Sequence, residues 1–325
     1  MNLDVANPNG IVPIFEPDDG ATVIEPPGDG PGYWAGGASA LYDDKERAFY
    51  LYYRLRRPIG KGRGWRCVVA RSEDGIRFST IWTCAKNELN AESIESAALI
   101  KTPDSNFRLY VSYVDLEDLS WKIALLEADS PEKFNPHHAK VVLQGEDADA
   151  YGVKDPYVGI VDGRYYMFVH YAARSLFDAD PTDDELRGSG IFVSETGRGS
   201  AGLAVSDDGT KFTWQGDVLQ PGEHWDSRLV RVDTVVHRPP LFMLFYSGRS
   251  TFEETYEDKT GVAVSLDLKQ FHKLSTEVPL LASPHSTGAL RYLDAVLVGE
   301  EIFFYYEYAR DDGSHELRLS RITRI

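Results

Sequence analysis

Three carboxylates stand where short apolar strands begin: Glu95 in Glu92-Ser-Ile-Glu95, Asp155 in Lys154-Asp155-Pro156, and Asp226 in His224-Trp-Asp-Ser-Arg228. Acids brought to one place suit cleavage of a glycosidic bond. One carboxyl protonates the leaving oxygen while another acts as base or nucleophile. Crowding like charges raises the pKa of one member and keeps a proton donor near neutral pH. Trp34, Tyr157 and Trp225 offer faces for a sugar ring, and Lys154 and Arg228 can orient an acid or bind an anion. His285 and the pair Arg291-Tyr292 stand at another strand start, and His170 lies near the end of the aromatic strand after Asp155. Each also has a structural role open to it. Asp155 and Asp226 can cap turns, Glu95 can be a solvated strand residue, Lys154 and Arg228 can pair with nearby acids, and the histidines can be hydrogen-bonded within the framework. Trp65, Trp82, Trp121 and Trp214 read as packing residues.

For these side chains to converge, the strands that carry them must meet at one axis. A repeated order provides for this: a polar start, an apolar strand, a turn, then an aromatic strand. It is clearest at Val158-Gly-Ile-Val161, Asp162-Gly163 and Arg164-Tyr-Tyr-Met-Phe-Val-His-Tyr171. The order recurs in five units of about 60 residues, the self-similarity of a solenoid, propeller or array. Four short strands per unit predict an all-β, five-bladed β-propeller with four antiparallel strands per blade. A two-sheet sandwich gives no reason for endings such as Ser72-Glu-Asp-Gly-Ile-Arg-Phe78 and Ser206-Asp-Asp-Gly-Thr-Lys-Phe212 to recur. The fifth unit shows three strands, so residues 11–15 are expected to supply its outer strand and close the ring, with Pro13 at an edge. The chain reads as one domain over residues 1–325, with a lead-in at 1–32 rich in Pro, Gly and Asp. A charged insertion at about 175–199 interrupts the third unit, either as a lid or as a solvated loop.

The net charge of −17 over 325 residues excludes nucleic acid as a partner. No apolar run reaches the roughly 20 residues that span a bilayer, and no signal peptide is seen, so no membrane partner and a cytoplasmic location are expected. Cys67 and Cys84 read as buried free thiols, with a disulfide as the alternative, and no zinc spacing exists. No glycine-rich phosphate loop implies an organic cofactor. A central calcium ion is compatible with the clustered acids and His285.

The Lys154-Asp155-Pro156 motif before an apolar strand resembles the third-blade motif of the five-bladed glycosidase superfamily that includes glycoside hydrolase families 43, 32 and 62. The stretch His224-Trp-Asp-Ser-Arg228, followed by Phe242-Met-Leu-Phe-Tyr-Ser-Gly248, is similar to motifs of family 130. The family 43 resemblance implies that Asp155 tunes and orients the general acid. The base would be a first-blade aspartate, but the matching place reads Trp34-Ala-Gly-Gly-Ala-Ser39 and holds no acid. The general acid is a glutamate in that family; Asp226 occupies a comparable stretch. The family 130 resemblance implies phosphorolysis, with Arg174, Arg228, Arg231 and Arg249 as phosphate-holding groups. The expectation is a carbohydrate-active enzyme, a glycoside hydrolase acting on an oligosaccharide or glycoside in a central funnel. A glycan-binding propeller without catalysis and a glycoside phosphorylase are the alternatives.

Overall fold

The computed structural model describes residues 12–186, 190–251 and 257–323. Among the described residues, twenty strands carry almost all of the regular structure. In chain order, β1 (Ala21–Ile24) precedes β2 (Trp34–Asp43), β3 (Ala48–Arg56), β4 (Gly64–Ser72) and β5 (Ser79–Ala85). Next come β6 (Ala91–Lys101), β7 (Phe107–Asp115), β8 (Trp121–Ala128) and β9 (Lys140–Gln144), then β10 (Ala150–Val161), β11 (Arg164–Ala173), β12 (Ser200–Ser206) and β13 (Thr213–Leu219). The chain continues through β14 (Leu229–Arg238), β15 (Leu241–Arg249), β16 (Lys259–Ser265) and β17 (His272–Lys273), and ends in β18 (Leu290–Val298), β19 (Glu301–Ala309) and β20 (His315–Thr323). β-branched and aromatic residues fill the second strand of each group, as in Phe49-Tyr-Leu-Tyr-Tyr53, and suit a pleated, buried surface.

Strands β6–β9, β10–β13 and β14–β17 form separate four-stranded antiparallel sheets. The remaining strands form one sheet of two antiparallel sets, β2–β5 and β18–β20 with β1, joined by a single parallel bridge between Trp34 and His315. The strand beside β20 is thus β1, and residues 12–15 form no strand; Ile11 lies outside the described residues. The reason lies in the sequence. Pro13 removes a ladder donor, whereas Ala21-Thr-Val-Ile24 is a proline-free, mostly β-branched run. Phe15 instead packs its ring 5.0 Å from that of Phe304.

Hairpin geometry repeats between the third and fourth strands. Ser72 Oγ accepts the Gly75 amide at 2.9 Å, and Asp74 Oδ1 accepts the amides of Ile76 and Arg77. Ser206 and Asp208 repeat these bonds, as do Ser265 and Asp267. Side-chain oxygens thus take over amides that the tight turn leaves without ladder partners.

The core lies between neighbouring sets. One apolar layer joins the residues of β3–β5 to those of β6–β8, and further layers follow in order. A last layer sets Phe49 and Leu51 of β3 against Phe303 and Tyr305 of β19. The lead strands make the same circuit: β2 packs on β6, β6 on β10, β10 on β14, β14 on β18, and β18 back on β2. Each lead strand therefore has another lead strand on either side.

Candidate functional site

Every lead strand breaks register near its start. The breaks fall between Gly36 and Ser39, Ile94 and Ala97, Lys154 and Tyr157, Val232 and Thr234, and Arg291 and Asp294. A bulge turns one side chain out of the alternating pattern and aims it elsewhere. At three of these breaks a residue takes a left-handed backbone: Gly37 (φ 64°), Asp155 (φ 52°) and Tyr292 (φ 50°). For Asp155 and the bulky Tyr292 this is strained, a conformation that persists only where its surroundings enforce it.

These bulges feed a chain of alternating charge. Glu95 accepts from Arg54 Nε at 3.0 Å, and Arg54 reaches Glu307 at 3.4 Å. Glu307 holds Arg291 at 2.6 Å, and Arg291 meets Asp258 at 3.3 Å. Asp258 lies 3.6 Å from Arg231, Arg231 lies 3.6 Å from Asp155, and Asp155 lies 3.6 Å from Lys154. Seven of these side chains have almost no exposure and Lys154 has little. Gly36 makes room for the arrangement, because a Cβ there would lie 1.7 Å from Glu307 Oε2. Gly36 thus leaves a space that Glu307 of β19 fills. Buried ion pairs of this kind add little net stability, since desolvation offsets their attraction; their placement calls for another explanation.

Two small cavities flank Tyr292. The upper one is lined by Arg56, Arg63, Glu95, Lys154, Phe192, Val193, Leu229, Arg231, Arg249, Asp258, Arg291 and Tyr292. The lower one is lined by Ser39, Ser96, Asp155, Asp233, Asp294, Arg231 and Tyr292, among others. Their volumes are about 20 and 10 Å³, room for roughly one water each. Tyr292 and Arg231 line both and form the partition. The Tyr292 hydroxyl donates to Asp155 Oδ2 at 3.4 Å, and the Arg231 guanidinium lies 3.7 Å from the centre of its ring. Asp155 faces the lower cavity, and its Oδ1 has no hydrogen-bond partner among the described residues.

The inserted segment covers the upper cavity. Ile191 packs with Val114, Trp121 and Ala172, and the Phe192 ring sits 4.7 Å from Lys154 Nζ. Arg249 donates to the Phe192 carbonyl at 3.2 Å, and Arg228 donates to the carbonyls of Ser194 and Glu195. Beside the upper cavity, Arg56 also lines a third of about 450 Å³, with Pro31, Trp34, Pro58, Ile59 and His315.

The electrostatics are dominated by positive charge. Burial alone would raise Glu95, but Arg54, Arg56, Lys154 and Arg63 outweigh it and bring the carboxyl to about 2. Asp258 reaches about 2 in the same way, through Arg249, Arg291 and Arg231. Burial lowers Lys154, with Arg231 and Arg63 pushing in the same direction against Asp155 and Glu95. Burial, Lys154 and Arg231 hold His170 neutral. Beneath the partition the balance reverses, and burial lifts Asp233 and Asp294 to about 6.

The structure brings Glu95, Asp155, Lys154, Arg291 and Tyr292 together, with Trp34 next to them; the Arg291 guanidinium lies 4.9 Å from the Trp34 ring. Asp226 does not join them. It is held by Lys273 Nζ at 2.5 Å and the Tyr246 hydroxyl at 3.0 Å, with Trp225 stacked on Tyr246. Arg174 lies on the exterior, 3.6 Å from Asp149. His285 also lies outside, between Asp18 and Asp311. His170 is fully buried behind Phe192, and its Nδ1–H points at the carbonyls of Ser200 and Val230. A central calcium does not fit these residues. His285 is elsewhere, arginines engage Asp155, Asp233 and Asp258, and among the described residues no group of three ligand side chains is placed to hold a metal ion.

Sequence reasoning missed Arg54, Arg56, Arg63, Asp258, Glu307 and Phe192. A signal for two of them was present. Each aromatic second strand carries a polar residue near its end: Arg54, Ser112, His170, Ser247 and Glu307. Arg54 pairs across the sheet with Gly36, His170 with Lys154, Ser247 with Arg231, and Glu307 with Arg291.

With this geometry in place, the comparisons with known proteins concern the fold. No protein-family profile matches the chain, and no curated protein matches it. Solved structures do. A glycosyl hydrolase from Bacteroides ovatus aligns with a TM-score of 0.60 at 14% identity, covering 94% of this chain and 95% of that one. The β-1,2-mannobiose phosphorylase from Listeria innocua, in complex with β-1,2-mannobiose, aligns at 0.61 and 14%, covering 93% and 94%. The GH43_1 enzyme from Xanthomonas citri, in complex with xylotriose, aligns at 0.59 and 14%, covering 93% and 90%. The chain therefore has the all-β fold of these carbohydrate-processing proteins, and the resemblance to families 43 and 130 holds at the level of fold.

Proposed function

We propose that this chain is a single-domain, five-bladed β-propeller closed by its N-terminal strand β1, and that it cleaves a glycosidic bond in the funnel under Phe192. The reading is carried by one observation: a buried chain of alternating charge containing Glu95, Asp155 and Lys154, in a fold shared with glycoside hydrolases. Folding alone does not call for so many desolvated charges in one place.

Glu95, ionised and facing the upper cavity, serves as the base. Lys154, whose hold on its proton burial has weakened, lines the same cavity and is the proton donor. Asp155 is a positioning residue, acting through Lys154, Arg231 and the Tyr292 hydroxyl. Asp226 takes a structural part. Arg291 and Tyr292 shape the floor, and Trp34 borders the path by which the rest of a glycan leaves the funnel.

The test is product release from a panel of oligosaccharides, with and without inorganic phosphate, for the wild type, Glu95→Gln and Asp155→Asn. Release that is lost in Glu95→Gln, and that in Asp155→Asn falls with a displaced pH profile, supports hydrolysis. A strict phosphate requirement makes the enzyme a phosphorylase. The second reading, a glycan-binding propeller, is favoured by Gly36 at the first-blade position where family 43 places its base. No release from any substrate, together with a glycan that raises the melting temperature, would establish it.

A further inference from the structure

We propose that Asp294 is a proton-operated clasp: its carboxyl carries a proton in the folded protein under mildly acidic conditions and, on losing it as the pH rises, loosens the seam between β18 and β2.

The argument starts from the buried acids. Among the described residues, Asp43, Glu95, Asp115, Asp155, Asp226, Asp233, Asp258, Glu307 and Glu316 are all buried, and each has an ion pair with a basic side chain. Asp294 is buried as deeply as they are, at 5% exposure, and has none. Its Oδ2 accepts the Ala40 amide of β2 at 2.7 Å, its Oδ1 accepts the Ala295 amide at 2.9 Å, and the Thr234 hydroxyl is its remaining hydrogen-bond partner. None of these carries a charge.

The groups packed around it deepen the deficit. β14 contributes Asp233 and Arg231, β10 contributes Asp155 and Tyr157, β18 itself contributes Tyr292, and β19 places Tyr305 opposite Asp294. β2, β6 and β15 contribute the hydroxyls of Ser39, Ser96 and Ser247. Lys259 of β16 stands beside Gly288, before β18 begins. Arg231 is the one basic residue among the described lining of the lower cavity. It is already divided between Asp233 at 3.3 Å, Asp155 at 3.6 Å and Asp258 at 3.6 Å. Lys154 serves Asp155 from the upper cavity. Three buried carboxyls thus line one small space, and the cations reach two of them. A buried carboxylate without a counter-charge takes up a proton instead. Burial, joined by the charge of Asp233, lifts Asp294 to about 6 against the pull of Ala40, Thr234 and Ala295. Burial lifts Asp233 likewise, but Arg231 opposes it there. The two titrate as a pair, and their shared proton settles on the member without a cation.

Position gives the proton its effect. Asp294 stands at the register break of β18, and its bond to Ala40 ties the last lead strand to the first. One residue either side, Asp233 accepts the Leu293 amide at 3.3 Å and Thr234 accepts the Ala295 amide at 3.4 Å, tying β14 to β18. A charge on Asp294 sets it against Asp233 and Asp155 at the point where these strands meet. The sign follows from linkage. A carboxyl whose pKa is raised by folding gives its full stabilisation below the ordinary 3.8 and loses it as the pH rises through about 6. A shift of about two pH units is roughly 100-fold in the folding constant, or about 4 °C in melting temperature for a chain of this length.

The experiment follows melting temperature from pH 5 to pH 8 for the whole chain, Asp294→Asn and Asp233→Asn, in chelator and again with calcium. NMR of the Ala40 and Ala295 amides reads the same titration in the wild type and needs no variant. The expected result is a pair of amide shifts with a midpoint well above the ordinary carboxylate range. The wild type should also lose about 4 °C more than Asp294→Asn between pH 5 and pH 8. Amides that titrate in the ordinary carboxylate range, or do not titrate, overturn the proposal. So does an Asp294→Asn variant that keeps the full fall. If Asp233→Asn removes the fall and Asp294→Asn does not, the proton belongs to Asp233 and the clasp fails. If calcium raises the melting temperature and abolishes the titration, a cation discharges the cluster and the proton does not.

Discussion

Substituting Gly36 by alanine tests whether this glycine exists to admit Glu307. Gly36 does not take a positive φ, so alanine meets no backbone penalty there. The added methyl is the whole perturbation, and it would lie 1.7 Å from Glu307 Oε2, 2.3 Å from Cδ and 2.6 Å from Cγ. A surface glutamate would swing away. Glu307 is fully buried and accepts from Arg291 at 2.6 Å, His315 at 2.7 Å and Arg54 at 3.4 Å. Moving it strands buried guanidinium groups without their counter-charge, at a cost of about 3–5 kcal/mol. With an unfolding entropy near 2.1 cal/mol/K per residue over this chain, that becomes a fall in melting temperature of about 4–7 °C. Calorimetry and urea unfolding should give the same ranking. Gly159→Ala is the control, since in the lead strand β10 its Cβ meets no heavy atom closer than 3.7 Å. Pairing Gly36→Ala with Glu307→Asp, one methylene shorter, should recover part of the loss. The reasoning is refuted if Gly36→Ala proves as stable as Gly159→Ala.

Further outcomes follow from the same geometry. Because Glu95 is held near 2, the activity profile should keep its base ionised through the ordinary carboxylate range. An acidic limb within that range in a folded enzyme would remove Glu95 from the role. On the alkaline side, activity should fall as pH rises through the lowered pKa of Lys154, the proton donor becoming neutral; a limb unmoved in Asp155→Asn would detach Asp155 from Lys154. Phe192→Ala exposes the Lys154 ammonium to water, so the alkaline limb should move to higher pH and KM should change. Stability should drop by about 1–3 kcal/mol, less than for a core phenylalanine because Phe192 is only partly buried. Cys67 and Cys84 face each other across β4 and β5, both free and buried. A thiol reagent should therefore titrate neither in the native protein and both after unfolding.

Much of the fold was legible because it is written in a repeat. The second strands are near-continuous aromatic and aliphatic runs, buried almost throughout, and the Ser-x-Asp hairpins read directly as turns because their hydrogen bonds are local. The strand beside β20 was misplaced by a few residues, since choosing between 11–15 and 21–24 depends on a partner almost 300 residues away. At the site, Asp155 and Glu95 were visible because their bulges lie at strand starts. Asp226 has the same local signature, and only its tertiary neighbours, Lys273 and Tyr246, set it apart. The arginines were harder to find. Arg54 and Arg56 end a strand that otherwise reads as core, and Asp258 stands in a loop without a motif. Nothing in the string of residues says that Phe192, in an insertion, settles over Lys154.

Tyr292 has a consequence for traffic. Because its ring and Arg231 line both small cavities, the proposed funnel would be a blind well rather than a tunnel. In the proposed enzyme, whatever arrives on the Phe192 side would depart on that side, so a polymer would not be threaded through and trimmed processively. Chain ends and branch tips are the parts of a glycan that such a well would admit. Each event would end in full release and a fresh encounter.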